Sequence, residues 1–439
     1  MSEKPSFGLS LPAKAMLMAR LAAKGKSALA PELGRPGNRK ETSTWSDLPL
    51  YRELETLRNT ADRLGVVSPY FRVHDGNATG HTAIAGRPLI NYASYDYLGL
   101  NGDPRIIAAA TEALVRYGTS ASASRLVSGE RQVHLDLEQG LAEYYGVEDA
   151  VVFVSGHATN VTVIGQIMAA GDLILHDELI HNSAMQGALL SGARRYAFRH
   201  NDPDSLETYL KAHRDQHKRA LIAIEGHYSM DGDIPDLPRF IELARRYRCW
   251  LMVDEAHGLG VLGPNSGGIA DHFGIAHDEV DIWMGTLSKT LVSCGGYIAG
   301  KKALIEYLKF SAPGFVYSVG MQPATAASAR AALDIVRAEP ERSARLRANA
   351  TRFLEGVNAA KLNPGTSIGA AIVPVITGSS MKAAKLAEAM FLRGINVQPI
   401  IYPGVPERSA RLRFFLSAAH TDEDIDTTLT ILTEEARKL

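Results

Sequence analysis

Five short apolar runs punctuate the middle of the chain, at residues 150–154, 173–176, 220–225, 250–253 and 281–283, and helical patterns fill the intervals between them. This alternation constrains the fold more than any other feature. Parallel strands cannot be joined by a tight turn, so the chain must cross back through a helix between them. Runs this apolar belong inside a sheet covered on both faces. The spacing therefore predicts an α/β domain with a mainly parallel central sheet and helices on both sides. After Ser318 the pattern changes to long helices at 322–337, 340–357 and 381–393 around short strands near 371–376 and 412–416, which predicts a smaller α+β domain. The expected organisation is an arm at 1–45, an N-terminal segment at 46–95, a large domain at 96–318 and a small C-terminal domain at 319–439.

The arm is set apart by eight Lys and Arg against three Glu and by the breakers Pro31, Gly34, Pro36 and Gly37. Apolar positions at helical spacing predict a helix over 45–64, and glycine-broken runs predict short strands over 71–89. The whole chain balances 47 basic against 48 acidic residues, so no global charge argues for a nucleic-acid partner. Its two cysteines, Cys249 and Cys294, lie beside apolar strand segments and read as reduced core thiols. The chain has neither an 18-residue apolar run nor a secretory apolar region, so a cytoplasmic location is expected.

Chemistry concentrates where predicted strands end. The segment 281–296, DIWMGTLSKTLVSCGG, leaves its strand through Thr286 and Ser288 to Lys289, and Gly295 and Gly296 follow. A partly buried lysine keeps a neutral amine and can condense with an aldehyde. Upstream, 250–260 (WLMVDEAHGLG) delivers Asp254 and His257 at the carboxyl end of its strand, the edge where open parallel sheets bind ligands. Pyridoxal 5'-phosphate needs a lysine for its aldehyde and a carboxylate for its ring nitrogen, and Lys289 with Asp254 meets both needs. In 151–160 (VVFVSGHATN) a strand ends at Ser155 and Gly156 and a helix opens, which makes a phosphate site of free amides and helix dipole. His176 and His181 are five residues apart and lack a third ligand, so no metal site is expected.

D-E-A-H-G followed by T-x-S-K, with Lys289 35 residues after Asp254, resembles the α-oxoamine synthase family of fold-type I pyridoxal-phosphate enzymes. The resemblance runs from about Tyr92 to the C-terminus. It implies that Lys289 holds the cofactor and acts as base, that His181 stacks on the ring and assists proton movement, that Ser229 lies near the phenolic oxygen, and that His257 bonds that oxygen or the substrate carboxylate. It also implies phosphate contacts from Ser155, Gly156, Thr286 and Ser288. His157 stands where an aromatic residue is usual. Ser318 corresponds to a serine that reaches the neighbouring subunit's phosphate, implying a homodimer with shared sites, although Val319 lacks a hydroxyl common in relatives. Arg413 corresponds to the residue that binds the amino-acid carboxylate.

The implied reaction is a decarboxylative condensation of a small amino acid with an acyl thioester of coenzyme A or acyl carrier protein. Tyr95 and Ile401 resemble the serine palmitoyltransferases of the family, which implies serine and a long acyl chain; an oxononanoate synthase-like or other member using alanine or glycine is the alternative. An aminotransferase or aldolase would keep Lys289 and Asp254 without the remaining motifs, and a non-catalytic partner subunit would lack the lysine. In the arm, Leu11, Leu17, Met18 and Leu21 share a helical face beside Arg20 and Lys24, a pattern suited to an acidic carrier protein or to peripheral contact with the inner membrane face. Lys14 interrupts that stripe, and an arm packed on the partner subunit is the competing reading.

Overall fold

The computed structural model describes residues 44–63 and 68–439, so the arm up to residue 43, with its expected helix at 11–23, lies outside the described residues. The chain divides into two units, residues 1–64 and 65–439. In the first, a turn at Trp45–Asp47 leads into the helix Pro49–Arg63, as the apolar spacing predicts.

The second unit begins with three short strands, β1 (His74–Asp75), β2 (His81–Ile84) and β3 (Arg87–Asn91). The large sheet then comprises β4 (Asp149–Phe153), β5 (Leu173–Asp177), β6 (Arg194–Phe198), β7 (Ala220–Glu225), β8 (Trp250–Asp254), β9 (Ile282–Thr286) and β10 (Gly296–Gly300). Its order is β4-β10-β9-β8-β7-β5-β6, and only β10 runs antiparallel to its neighbours. The reason is length. Residues 287–295 are too few for a helical crossover, so the chain must turn straight back. Lys289 sits on this one tight connection. β6 escaped the apolar pattern because it is an edge strand whose Arg194, Arg195 and Tyr196 are not buried.

Alternate side chains of β4, β5, β7, β8 and β9 enter two cores. Val152, Leu175, Ile222, Leu251 and Trp283 pack on one face, and Phe153, Ile174, Leu221, Met252 and Met284 on the other. This two-sided burial explains why the strands read as continuous apolar runs.

The C-terminal part holds β11 (Ile372–Ile376), β12 (Ile395–Asn396), β13 (Gln398–Ile400) and β14 (Arg411–Phe415). β11, β14 and β13 form a smaller antiparallel sheet, while β12 joins β3 in parallel and completes a second sheet with the N-terminal strands. The helix Pro323–Ala338, expected in the small domain, packs on the helices Pro104–Tyr117 and Gln132–Tyr145, so a boundary at 318/319 separates it from its packing partners. Cys249 is buried, and burial pushes its thiol up to about 11. Cys294 is exposed, contrary to expectation, because it lies on the turn back into β10 rather than within a strand. No helix among the described residues is long and apolar enough to cross a membrane.

Candidate active site

β7, β8 and β9 end side by side, delivering Glu225, Asp254 and Thr286 to one edge of the sheet. A cavity of about 480 Å³ opens there, and every site residue named from the sequence lines it except Ser318. Tyr95, Ser155, Gly156, His157, His181 and Ser229 thus meet Asp254, His257, Thr286, Ser288, Lys289 and Arg413 around one space.

At one end the helix Gly156–Ile167 points its N-terminus into the cavity. Ser155 caps it, its hydroxyl accepting from Ala158 N at 3.0 Å. The helix approaches the sheet closely because two glycines face each other: a Cβ on Gly296 would stand 2.6 Å from Gly156 Cα and 2.5 Å from Thr159 Oγ1. Thr286 Oγ1 lies 2.8 Å from Ser288 Oγ and donates to Gly295 O at 2.9 Å, which fixes both hydroxyls at the mouth of the Lys289 turn. Free helix amides with two adjacent hydroxyls make an anion site.

Asp254 occupies the centre. Its Oδ2 accepts from Asn160 Nδ2 at 2.9 Å and its Oδ1 from Ala256 N at 3.0 Å, so the carboxylate is aimed from two directions. Lys289 is half-buried, and loss of hydration pulls its amine down to about 8 against the opposing pull of Asp254 and Glu225. The neutral amine required of this residue is therefore about a tenth of the population at pH 7, far more than for an ordinary lysine.

His181 caps the helix Asn182–Ser191, and its Nδ1 accepts from Ser183 N at 3.3 Å, which leaves the ring proton on Nε2. Burial lowers its pKa, and nearby Lys289, His157 and Arg413 lower it further against the pull of Asp254. His257 is buried, held at 2.6 Å by the Tyr97 hydroxyl, and pushed well below its ordinary range by burial and then by Lys289. Arg413 on β14 donates to Ser229 O at 3.0 Å and lies 4.5 Å from the centre of the Phe415 ring. Its Nε is buried without a partner, leaving donors for an incoming carboxylate. Tyr95 sits in a loop, 40% exposed, with its ring 5.7 Å from Lys289 Nζ and 4.9 Å from the Phe415 ring. His176 points elsewhere, its Nδ1 2.8 Å from Asp177 O, and no cluster of metal-ligating side chains exists among the described residues.

Sequence reasoning missed three residues. Asn160 lies in the quoted 151–160 stretch and Tyr97 in residues 91–100, NYASYDYLGL, where a polar residue one helical turn beyond a phosphate loop, or an aromatic two residues before a glycine, was the available signal. Glu225 was seen only as a strand terminus.

The residues present fit pyridoxal phosphate: a glycine-lined helix N-terminus for the phosphate, an aimed carboxylate for the ring nitrogen, and a lysine amine between them. The family model for aminotransferase class I and II matches residues 87–432. A putative 8-amino-7-oxononanoate synthase of Gloeobacter violaceus is 42% identical over 363 residues, covering 83% of this chain and 92% of its own. The 8-amino-7-oxononanoate synthase of Methylorubrum extorquens strain PA1 is 44% identical over 351 residues, 80% of this chain and 87% of its own. A solved serine palmitoyltransferase with bound pyridoxal phosphate superposes with a TM-score of 0.85 at 28% identity, over 89% of this chain and 98% of that one. With this fold, this site and these relatives, the chain belongs to the aminotransferase class I and II family, among its fold-type I, pyridoxal-phosphate-dependent α-oxoamine synthases.

Proposed function

We propose that the protein joins a small amino acid to an acyl thioester with loss of carbon dioxide, releasing an α-aminoketone and the free thiol, in the manner of an 8-amino-7-oxononanoate synthase that takes alanine or glycine. The observation that carries this reading is the meeting of Lys289, Asp254, His181 and Arg413 in one cavity. Relatives named 8-amino-7-oxononanoate synthase at 36–44% identity back it better than the serine palmitoyltransferase structures at 28–30%. The expectation of serine and a sphingolipid-like product, drawn from Tyr95 and Ile401, gives way to alanine or glycine.

Pyridoxal phosphate, when bound, supplies an aldehyde for the amine and a ring that accepts the electron pair left at the amino-acid α-carbon. The protein does the rest. Ser155, Gly156, Thr286 and Ser288 would hold the phosphate, with His157 beside them. Asp254, aimed by Asn160, would keep the ring nitrogen protonated. Lys289 removes the α-proton and returns one after carbon dioxide leaves, its lowered pKa matching both directions of transfer. His181 presents its Nε2 proton to the acyl carbonyl. His257 and Ser229 would serve the phenolic oxygen, Arg413 would take the amino-acid carboxylate through its fork, and Tyr95 would wall the substrate side.

Ser318 is read as reaching the site of a second copy of the chain; its neighbours Tyr317 and Val319 are 86% and 51% exposed, which supports a contact there. Peripheral membrane contact by the arm draws no support from the described residues and is not part of the proposal.

The test is a mass-spectrometric product screen of glycine, alanine and serine against short and long acyl thioesters of coenzyme A and acyl carrier protein. Alanine or glycine should give the fastest aminoketone formation. Preference for serine would overturn the choice of amino acid, and no aminoketone from any pair would overturn the reaction.

A further inference from the structure

Glu225 stands directly opposite Asp254 across the β7–β8 pair, is 3% exposed and lines the cavity. Its two oxygens are unequally provided for. Oε2 accepts from Ser229 N at 3.4 Å, while Oε1 is buried and has no hydrogen-bond partner. Four further groups face it: Asp254 from β8, Lys289 from the turn after β9, the His181 amide at the start of the helix Asn182–Ser191 and Tyr228 from its own loop. Arg413 approaches only as far as the Ser229 carbonyl.

Two carboxyl groups on adjacent strand ends do not both ionise readily. Asp254 has donors from Asn160 and Ala256 to hold its charge, whereas burial first and Asp254 second push Glu225 up to about 8. The group that keeps its proton is thus the one with an unpartnered oxygen. A protonated carboxyl donates one hydrogen bond, which an ionised one cannot do.

We propose that Glu225 is a further residue of the active site and works there as a carboxylic acid, donating its O–H to an anionic oxygen bound in the cavity. The acceptor belongs either to the cofactor or to the amino-acid carboxylate. The Ser229 amide at Oε2 assigns the proton to Oε1. This inference rests on the pyridoxal-phosphate reading of the site and not on the identity of the acyl donor, so its test reads binding rather than turnover.

Apoprotein of the wild type, Glu225→Gln and Glu225→Ala is titrated with pyridoxal phosphate from about pH 6 to about pH 9.5, and the loaded proteins are then titrated with alanine, glycine and serine, all by absorbance. Gln keeps a donor and cannot ionise. Lys289 titrates in each protein and Glu225 itself raises its pKa, so the Lys289 midpoint is read in both proteins by amine labelling and the difference left after that correction reports Glu225. Above about pH 8 the wild type is expected to lose affinity relative to Glu225→Gln, approaching about tenfold per pH unit, while the two agree within about threefold below pH 7. Glu225→Ala should bind more weakly at every pH. A divergence already present in the cofactor titration supports the proposal with the cofactor as acceptor; one confined to the amino-acid titration supports it with the substrate carboxylate. Parallel profiles in both titrations would overturn it, as would a Glu225→Gln protein as weak as Glu225→Ala at low pH. If Glu225→Ala does not fold, the comparison of wild type with Glu225→Gln decides alone.

Discussion

Asn160 Nδ2 donates to Asp254 Oδ2 at 2.9 Å and also to Ser183 Oγ at 3.0 Å, so the helix after β4 aims the carboxylate that ends β8. Hydrogen bonds to charged groups contribute about 1.5–3 kcal/mol, so Asn160→Ala should weaken pyridoxal-phosphate affinity by about 10- to 100-fold. Asn160→Asp should do worse, because it sets a second carboxylate against Asp254. Equilibrium titration of the apoproteins checks both, and wild-type affinity in either variant would show that Asp254 needs no such support.

Gly296→Ala tests the close approach of helix and sheet. The added methyl meets Thr159 Oγ1 at 2.5 Å and Gly156 Cα at 2.6 Å. Overpacking of this kind costs about 1–3 kcal/mol, and here it also displaces the phosphate-binding helix end. Lower melting temperature and faster cofactor loss on dialysis are expected. Adding Thr159→Ala should restore little, because the backbone contact at Gly156 remains.

Lys289 should titrate far below an ordinary lysine. Competitive amine labelling of the apoprotein, read by peptide mass spectrometry, should reach half its maximum near pH 8 at Lys289, against about 10.4 for exposed lysines. Burial lowers the value and Asp254 with Glu225 restrains the fall, so Asp254→Asn should move the midpoint lower still. Labelling at the ordinary lysine pH would contradict a buried amine.

His200 is expected to set the alkaline limit of stability. Its ring bonds Asp177 at 2.9 Å and Asp233 at 3.0 Å, and Thr366 donates to the same Asp233 oxygen at 2.7 Å, tying the strand ends to the C-terminal part. Burial lowers its pKa, but the two carboxylates prevail and raise it to about 10. The unfolded chain releases this proton at about 6.5, so the stabilisation is complete below that pH and is lost as pH rises through 10. His200→Gln should cost a few kcal/mol near pH 6 and flatten the fall of melting temperature between about pH 6.5 and 10. An unchanged slope in the variant would assign the alkaline loss elsewhere.

Much of the large domain was legible because its information is local. Strands buried on both faces read as apolar runs, and each chemical motif follows one of them within a few residues, which is why Lys289, Asp254, Ser155 and His257 could be placed on one sheet edge from spacing alone. β6 was not legible, since an edge strand satisfies one face in water and carries arginines there. The pairing of β12 with β3 was equally hidden, because it joins residues about 300 positions apart and leaves no periodic trace in either segment.

By itself, then, the order of residues determined the strand and helix pattern, the parallel sense of most of the sheet and the chemical types delivered to its edge, all of which follow from periodicity and short-range geometry. Only the tertiary structure decided that Asn160 aims Asp254, that Gly296 and Gly156 let a helix end reach the sheet, that Cys294 faces outward, and that Glu225 rather than Asp254 is the carboxyl with an unpartnered oxygen. Those outcomes depend on which distant groups become neighbours in a site of low polarity. Burial and adjacent charge there set protonation, and neither is a property of any one stretch of sequence.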